Sequence, residues 1–394
     1  MHLYIHIPFC ASFCSYCDFY SVKLLSLREK YVEALCREIA SYAKYEGSAA
    51  DTIYIGGGTP SVLPLGQLRK IIGTVRANFS LSALKEFTIE VNPDDITPEY
   101  ASGLKSSGIN RVSMGVQSFD NAALEWMNRR HNADDAVRAY SILRNAGFEN
   151  ISLDLIFGYS MLTDEAWMKN LEKIAVLAPE HISAYQMSIE PGSLIASMAR
   201  EGKKVLHSPE RCAEQYAMLQ QFLSAHGYRQ YEISNFAKAE DDGSCRIAIH
   251  NSSYWSGEPY RGFGPGAHSY SGILHGQDGI FAIRSWNLPL VKRYCAYFSE
   301  IPEHGGFTER KPVSGSERLN AADIFNETVM LGLRTCDGLD LDRLREISPA
   351  LLEKKGPEME RMLKRSDLLS EGNKIKIPSE RLFVSDGIIR DLFI

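Results

Sequence analysis

The sequence predicts an α/β fold built on a parallel sheet. From the start of the chain to about residue 228, apolar strand-like runs alternate with segments of helical period, and the alternation gives six strands and six helices. Beyond residue 228 the pattern breaks, which marks a change of architecture. With 394 residues the chain is long enough for two or three domains. Six such units make either a partial barrel or a doubly wound sheet, and composition does not choose between them.

The strand candidates, in order, are LYIHI (3–7), TIYIG (52–56), FTIEV (87–91), RVSMGV (111–116), ISLDLIF (151–157) and HISAYQM (181–187). Helices are expected over LREKYVEALCREIASYAKY, LGQLRKIIGTVRANF, TPEYASGLKSS, DDAVRAYSILRNAG, TDEAWMKNLEKIAVL and PERCAEQYAMLQQFLSAHG. The stretch from 229 to 315 is rich in Gly, Tyr, Ser and His and has weak periodicity. A helical segment is expected to begin near Ser316 (SERLNAADIFNETVMLGLRT). The tail reads as short helices plus a hairpin, LLSEGNKIKI, turning at Gly372–Asn373. The expected division is therefore 1–228, 229–315 and 316–394.

A hydrophobic content of 44% with 23% charged residues is ordinary for a globular protein. The net charge of −6 and the lack of a clustered Lys/Arg helix argue against nucleic-acid binding, the winged-helix alternative for the tail included. No apolar run reaches the roughly 20 residues that span a bilayer, and the first strand begins too early to leave room for a signal peptide. A cytoplasmic protein is expected. Peripheral membrane contact, and the choice between monomer and homodimer, stay open.

Three cysteines, Cys10, Cys14 and Cys17, follow the first strand at C-x3-C-x2-C spacing, with no fourth within the next fifteen residues. A [4Fe–4S] cluster normally takes four thiolates, so a loop offering three leaves one iron for a small-molecule ligand. A zinc knuckle would show a second CxxC or a His pair, and none is present. Cys36, Cys212, Cys245, Cys295 and Cys336 are scattered singly and read as buried or incidental thiols. Directly after the second strand comes GGGTP: Gly56, Gly57, Gly58, Thr59 and Pro60. Glycines there let the backbone approach a ligand.

C-x3-C-x2-C followed by an aromatic, with YIHIPFC around its first cysteine, resembles the radical S-adenosylmethionine (SAM) superfamily. Within it, the chain is similar to the branch of the oxygen-independent coproporphyrinogen III oxidase HemN and the haem chaperone HemW. The resemblance favours a partial (β/α)6 barrel of the radical-SAM, TIM-like kind with a small mixed α/β C-terminal domain. It implies a [4Fe–4S] cluster on Cys10, Cys14 and Cys17, whose unique iron takes the amino and carboxylate groups of SAM. By the same resemblance SAM contacts Tyr4, Gly57, Gly58, Thr59, Glu90, Gln117, Arg129 and Asp154. A sulfonium with a zwitterionic end and a ribose diol needs a planar cation such as Arg129 and polar partners such as Glu90, Gln117 and Asp154. Taken singly, each also has a structural reading as a cap or a surface ion pair.

Three features separate the HemW-like from the oxidase-like reading. The oxidase pattern continues C-x-C, whereas position 19 here is Phe19, and the oxidases carry a longer segment before the first strand. Residues 250–255, HNSSYW, resemble the HNxxYW motif of HemW-like proteins. His250 is the candidate haem ligand, with His268 and His275 as weaker candidates. The resemblance thus implies a haem chaperone whose partners are haem and recipient haemoproteins. The alternative is a coproporphyrinogen oxidase or another radical-SAM enzyme acting on a tetrapyrrole.

Overall fold

The computed structural model describes residues 1–42, 49–277, 279–299 and 314–394. Six strands run parallel in sequence order: β1 (His2–Ile7), β2 (Thr52–Gly57), β3 (Glu86–Val91), β4 (Arg111–Gln117), β5 (Ile151–Phe157) and β6 (His181–Gln186). Their registers, such as Tyr4 opposite Tyr54 and Asp154 opposite Ser183, keep inward-facing residues level across the sheet. Almost every residue in them is at least partly buried, as expected of parallel strands covered on both faces.

The crossovers carry α1 (Arg28–Tyr42), α2 (Leu65–Asn78), α3 (Pro98–Ser106), α4 (Asn121–Trp126), α5 (Ala133–Asn145) and α6 (Asp164–Leu177). After β6 come α7 (Leu194–Arg200) and α8 (Pro209–Ala225). Several start on residues that stop the strand-to-helix turn by capping: Thr97 accepts from the Tyr100 amide, and Asn132 and Asp135 form a reciprocal capping box. The helix expected at residues 27–45 is α1 as far as Tyr42; its last three positions lie outside the described residues.

The 229–315 stretch holds strands that its weak periodicity conceals. β7 (Tyr228–Gln230) and β8 (Asn235–Lys238) extend the sheet antiparallel beyond β6. After α9 (Ile249–Trp255), β9 (Tyr260–Phe263) lies parallel to β1 on its free side. β10 (His268–Gly276), β11 (Gly279–Asn287) and β12 (Ser314–Leu319) then meander outward, with α10 (Val291–Ser299) packed against α1. The result is a twelve-stranded mixed sheet, open between β7 and β12 among the described residues. Gly262 and Gly264 make the insertion of β9 possible: a Cβ at Gly262 would sit 2.1 Å from the His268 carbonyl oxygen, and Gly264 has φ +96°. The Gly264 amide donates to buried Glu38, which also accepts from Tyr294 and Asn287.

The segment read as helical from Ser316 divides. Ser314–Leu319 pairs with β11, and the helix α11 (Ala321–Leu333) starts only after Asn320, whose side chain caps it in a box with Asp323. The cap outweighs the helical propensity of SERL. A three-stranded sheet closes the tail: β13 (Leu339–Asp340), β14 (Leu369–Glu371) and β15 (Lys374–Lys376). Its β14–β15 hairpin turns where expected, with Gly372 at φ +59°.

Candidate functional site

The parallel strands enclose a cavity of about 770 Å3, and it collects every residue the sequence singled out for cluster and SAM. Cys10, Cys14 and Cys17 line one end, beyond the C-terminal ends of the strands, where active sites of such barrels lie. Their loop is stitched down from several sides. The Cys10 amide donates to Val22, the Ser15 amide to Met127 and the Asn128 side chain to Phe13. The turn after β2 closes on the same loop, with the Gly58 amide donating to Ile7 and the Thr59 amide to Phe9, both at 2.8 Å.

Arg129 reaches the loop across the barrel. Its Nη1 donates to Cys14 Sγ at 3.2 Å, and its Nη2 donates to Asn92 Oδ1 and the Gly115 carbonyl. Its Nε is buried and has no hydrogen-bond partner among the described residues. Gln117 ends β4 in the left-handed region, φ 68°, a strained position that turns its side chain toward the cavity wall beside Arg129.

Deeper inside, Glu90 accepts from Tyr54 Oη at 2.7 Å and from the Gly57 amide at 3.0 Å. Gly57 has φ +116°, and a Cβ there would meet the His6 ring at 2.7 Å. His6 donates through Nε2 to the Tyr20 carbonyl, so its Nδ1 accepts from the Tyr4 hydroxyl at 3.0 Å. Asp154 accepts from Ser113. Burial raises Asp154, against the hydrogen bonds from Ser183, Ser113 and Ser152 and the charge of Arg111. Burial likewise pushes Glu90 up to about 7, Tyr54 and Gly57 pulling the other way.

That shift gives a pH dependence of defined sign. A carboxyl raised from 4.5 to about 7 favours the folded state fully below pH 4.5 and loses that contribution as pH rises through 7. Glu90→Gln removes the penalty of the buried charge. Its amide oxygen can accept from Gly57 while its NH2 donates to the Tyr54 oxygen. The variant is expected to gain stability over the parent between pH 4.5 and 7, by up to roughly 3 kcal/mol above pH 7 and less where cavity water screens the charge. Denaturant unfolding of both proteins across that range checks it.

Burial raises the Cys10 thiol and pushes Cys17 up to about 12. Thiolates in such a place need metal cations beside them. Among the described residues no three His, Cys, Asp or Glu side chains converge as around a single ion. Three thiols lining one end of the cavity are the donor type that an iron–sulfur cluster takes. The donor set therefore fits a [4Fe–4S] centre, and unpartnered Arg129 Nε fits a ligand beside it. When bound, such a centre supplies an electron to SAM; the chain's part is to hold both and keep bulk water away.

The opposite end of the cavity is closed by α9, which carries HNSSYW. Glu86, at the start of β3, accepts from the Ile249 and His250 amides and so seats the first turn of α9. His250 is 1% exposed and stacked on Tyr54 at 5.1 Å. Its Nδ1 is 2.6 Å from Thr52 Oγ1, its Nε2 2.9 Å from the Tyr254 hydroxyl, and Thr52 is 2.8 Å from His2 Nδ1. His250 thus faces Thr52 through Nδ1 and Tyr254 through Nε2, and the direction of both hydrogen bonds follows its tautomer. Burial pushes His250 down to about 3, with His2 and Arg111 adding to it. Trp255 does not line this cavity, and His268 and His275 lie outside it on β10, both exposed.

Sequence reasoning missed Asn92, Arg111, Ser113, His181 and Ser183, all of which line the cavity. Ser113 and Ser183 stood in quoted strand runs, Ser183 level with Asp154 and Ser113 level with Ser152, and inward alternation from Asp154 is the signal that would have found them. Phe19, where the oxidase pattern has a cysteine, stands 69% exposed at the cavity rim.

Among the described residues no helix is long and apolar enough to cross a membrane. The family model described as the radical SAM superfamily matches residues 4–174. The chain is 37% identical to the haem chaperone HemW of Bacillus subtilis over 87% of its length and 86% of that protein. It is 32% identical to HemW of Lactococcus lactis over 98% and 95% of the two chains. The solved structure of coproporphyrinogen III oxidase HemN from Escherichia coli, a radical SAM enzyme, superposes with a TM-score of 0.80 at 22% identity, covering 99% of this chain and 88% of that one, which is a likeness of fold. The chain belongs to the radical SAM superfamily, in its HemN/HemW branch, and is of the HemW type.

Proposed function

We infer that this protein is a haem chaperone: it binds haem and passes it to recipient haemoproteins, with a [4Fe–4S] cluster and SAM held on the same scaffold. The observation that carries the reading is one cavity with the three cluster cysteines at one end and the HNSSYW helix at the other. The relatives named as haem chaperones, similar over most of their length, support it. Cys10, Cys14 and Cys17 hold the cluster. Tyr4, Gly57, Gly58, Thr59, Glu90, Gln117, Arg129 and Asp154 surround SAM, Arg129 facing its carboxylate. Residues 1–228 carry both groups, 229–315 is the connecting region that brings the HNSSYW helix, and 316–394 is a small C-terminal domain. Phe19 at the rim supports this reading over an oxidase of coproporphyrinogen.

His250 is the candidate iron ligand through Nε2, the nitrogen that lies 2.9 Å from the Tyr254 hydroxyl. Ligation then requires the Tyr254 hydroxyl to give up that nitrogen. An anaerobic haem titration of the cluster-reconstituted protein, followed in the Soret band, tests both statements. The parent is expected to saturate at one haem. His250→Ala should lose at least about tenfold in affinity, whereas Tyr254→Phe, which frees Nε2, should bind at least as tightly as the parent. Tight binding by His250→Ala removes the ligand assignment, and no saturable binding by the parent removes the chaperone reading.

A further inference from the structure

The deep end of the cavity holds a cation that no side chain among the described residues pairs or hydrogen-bonds. Arg111 opens β4, is 2% exposed, and lines the cavity. Its Nε is buried without a hydrogen bond, and among the described residues its side chain makes no ion pair. An isolated buried guanidinium is costly unless an anion or a full set of acceptors meets it.

The nearest charged side chains are already engaged elsewhere. Glu90 takes Tyr54 and the Gly57 amide, and Asp154 takes Ser113 and Ser152. Both lie close enough to feel Arg111, as do the imidazoles of His181 and His250. Neither carboxylate closes on the guanidinium. Elsewhere in the same cavity wall, Asn235 is 6% exposed and has a buried Oδ1 without a hydrogen bond among the described residues. An unclaimed cation and an unclaimed acceptor thus share one enclosed space.

From these observations we propose that Arg111 is the anchor of a second anionic subsite, taking a carboxylate of the ligand bound at the α9 end, which on the chaperone reading is a propionate of haem. The planar fork of arginine matches a carboxylate in two parallel hydrogen bonds. Position within the barrel separates this carboxylate from that of SAM. Arg111 is the first residue of β4 and Gln117, at the cluster end beside Arg129, is the last, a span of about 20 Å at the usual rise. A carboxylate at the cluster therefore leaves Arg111 free. The two buried arginines then divide the labour, Arg129 serving the amino-acid end of SAM and Arg111 the tetrapyrrole.

The proposal rests on the haem-binding reading, and its test separates the two. The cluster-reconstituted parent, Arg111→Gln and Arg111→Lys are titrated with haem and with its dimethyl ester, which lacks both carboxylates, while SAM affinity is read by equilibrium dialysis. The parent should bind haem about tenfold to a hundredfold more tightly than the ester, the worth of one or two charged hydrogen bonds. Arg111→Gln should lose that preference, Arg111→Lys should keep part of it, and SAM affinity should stay unchanged in both. The parent comparison alone remains decisive if a variant fails to fold. Equal binding of haem and ester by the parent overturns the subsite while leaving the chaperone reading intact. Loss of SAM affinity with haem binding preserved overturns it too, by assigning the guanidinium to the SAM carboxylate. Absence of haem binding in the parent refutes the reading on which the subsite rests.

Discussion

Cys14→Ser is expected to reduce the iron and acid-labile sulfide of the reconstituted protein to background and to abolish its visible charge-transfer absorption. With three thiolates from the chain, the cluster has no ligand in reserve. The remaining two sit where burial holds thiols protonated, Cys17 up to about 12, so they need the cluster's charge as much as it needs them. A serine hydroxyl is a far weaker iron ligand, and Arg129 Nη1 would be left facing a neutral oxygen in place of a sulfur 3.2 Å away. The controls are Cys36→Ser and Cys212→Ser. The Cys36 thiol points to the Lys70 carbonyl and that of Cys212 to the Gly158 carbonyl, and neither residue lines the cavity. Both should load iron like the parent. Parent-like iron and sulfide in Cys14→Ser would remove Cys14 from the ligand set.

The cluster end of this site was legible because its signals are local. Cys10, Cys14 and Cys17 sit on one loop, and Gly56–Pro60 run from the end of β2 into the turn after it, so spacing alone brings them to one end of the cavity. The first six strands were equally plain, each being a compact apolar run between turn residues. β9 was not. It is four residues long, YRGF, and its place beside β1 depends on Gly262 admitting the His268 carbonyl and on Glu38 receiving Gly264, the second a contact across 226 positions. Arg111 was overlooked for a related reason. An arginine at the start of a strand reads as a solvated charge, and only the curvature of the parallel sheet turns it inward among Glu90, Asp154 and His181. The HNSSYW motif was visible, yet its spacing could not show that Thr52 and Tyr254 occupy both nitrogens of His250.

Gly58→Ala is the substitution expected to do most damage for the fewest atoms added. Its φ lies outside the left-handed region, so the effect is one of space alone. A Cβ would fall 2.8 Å from the Phe9 carbonyl oxygen and 3.0 Å from Cys10 Sγ. The oxygen cannot swing aside, because it accepts from the Thr59 amide at 2.8 Å, and the Gly58 amide is itself tied to Ile7. The loop must therefore move as a unit, carrying Cys10 away from Cys14 and Cys17. Overpacking of this kind costs about 1–3 kcal/mol in stability, but the larger consequence falls on the site, where a displacement of a few tenths of an ångström spoils the geometry of ligation. Cluster content should fall by at least about half, and SAM affinity by about tenfold or more. Gly66→Ala and Gly73→Ala on α2, where a Cβ meets nothing within 4 Å, should load cluster normally and gain up to about 1 kcal/mol in stability from the helix preference for alanine. Iron content, equilibrium dialysis with SAM and thermal unfolding of the three variants decide the matter. A Gly58→Ala protein that loads cluster and SAM like the parent would show that the β2 turn does not constrain the cysteine loop.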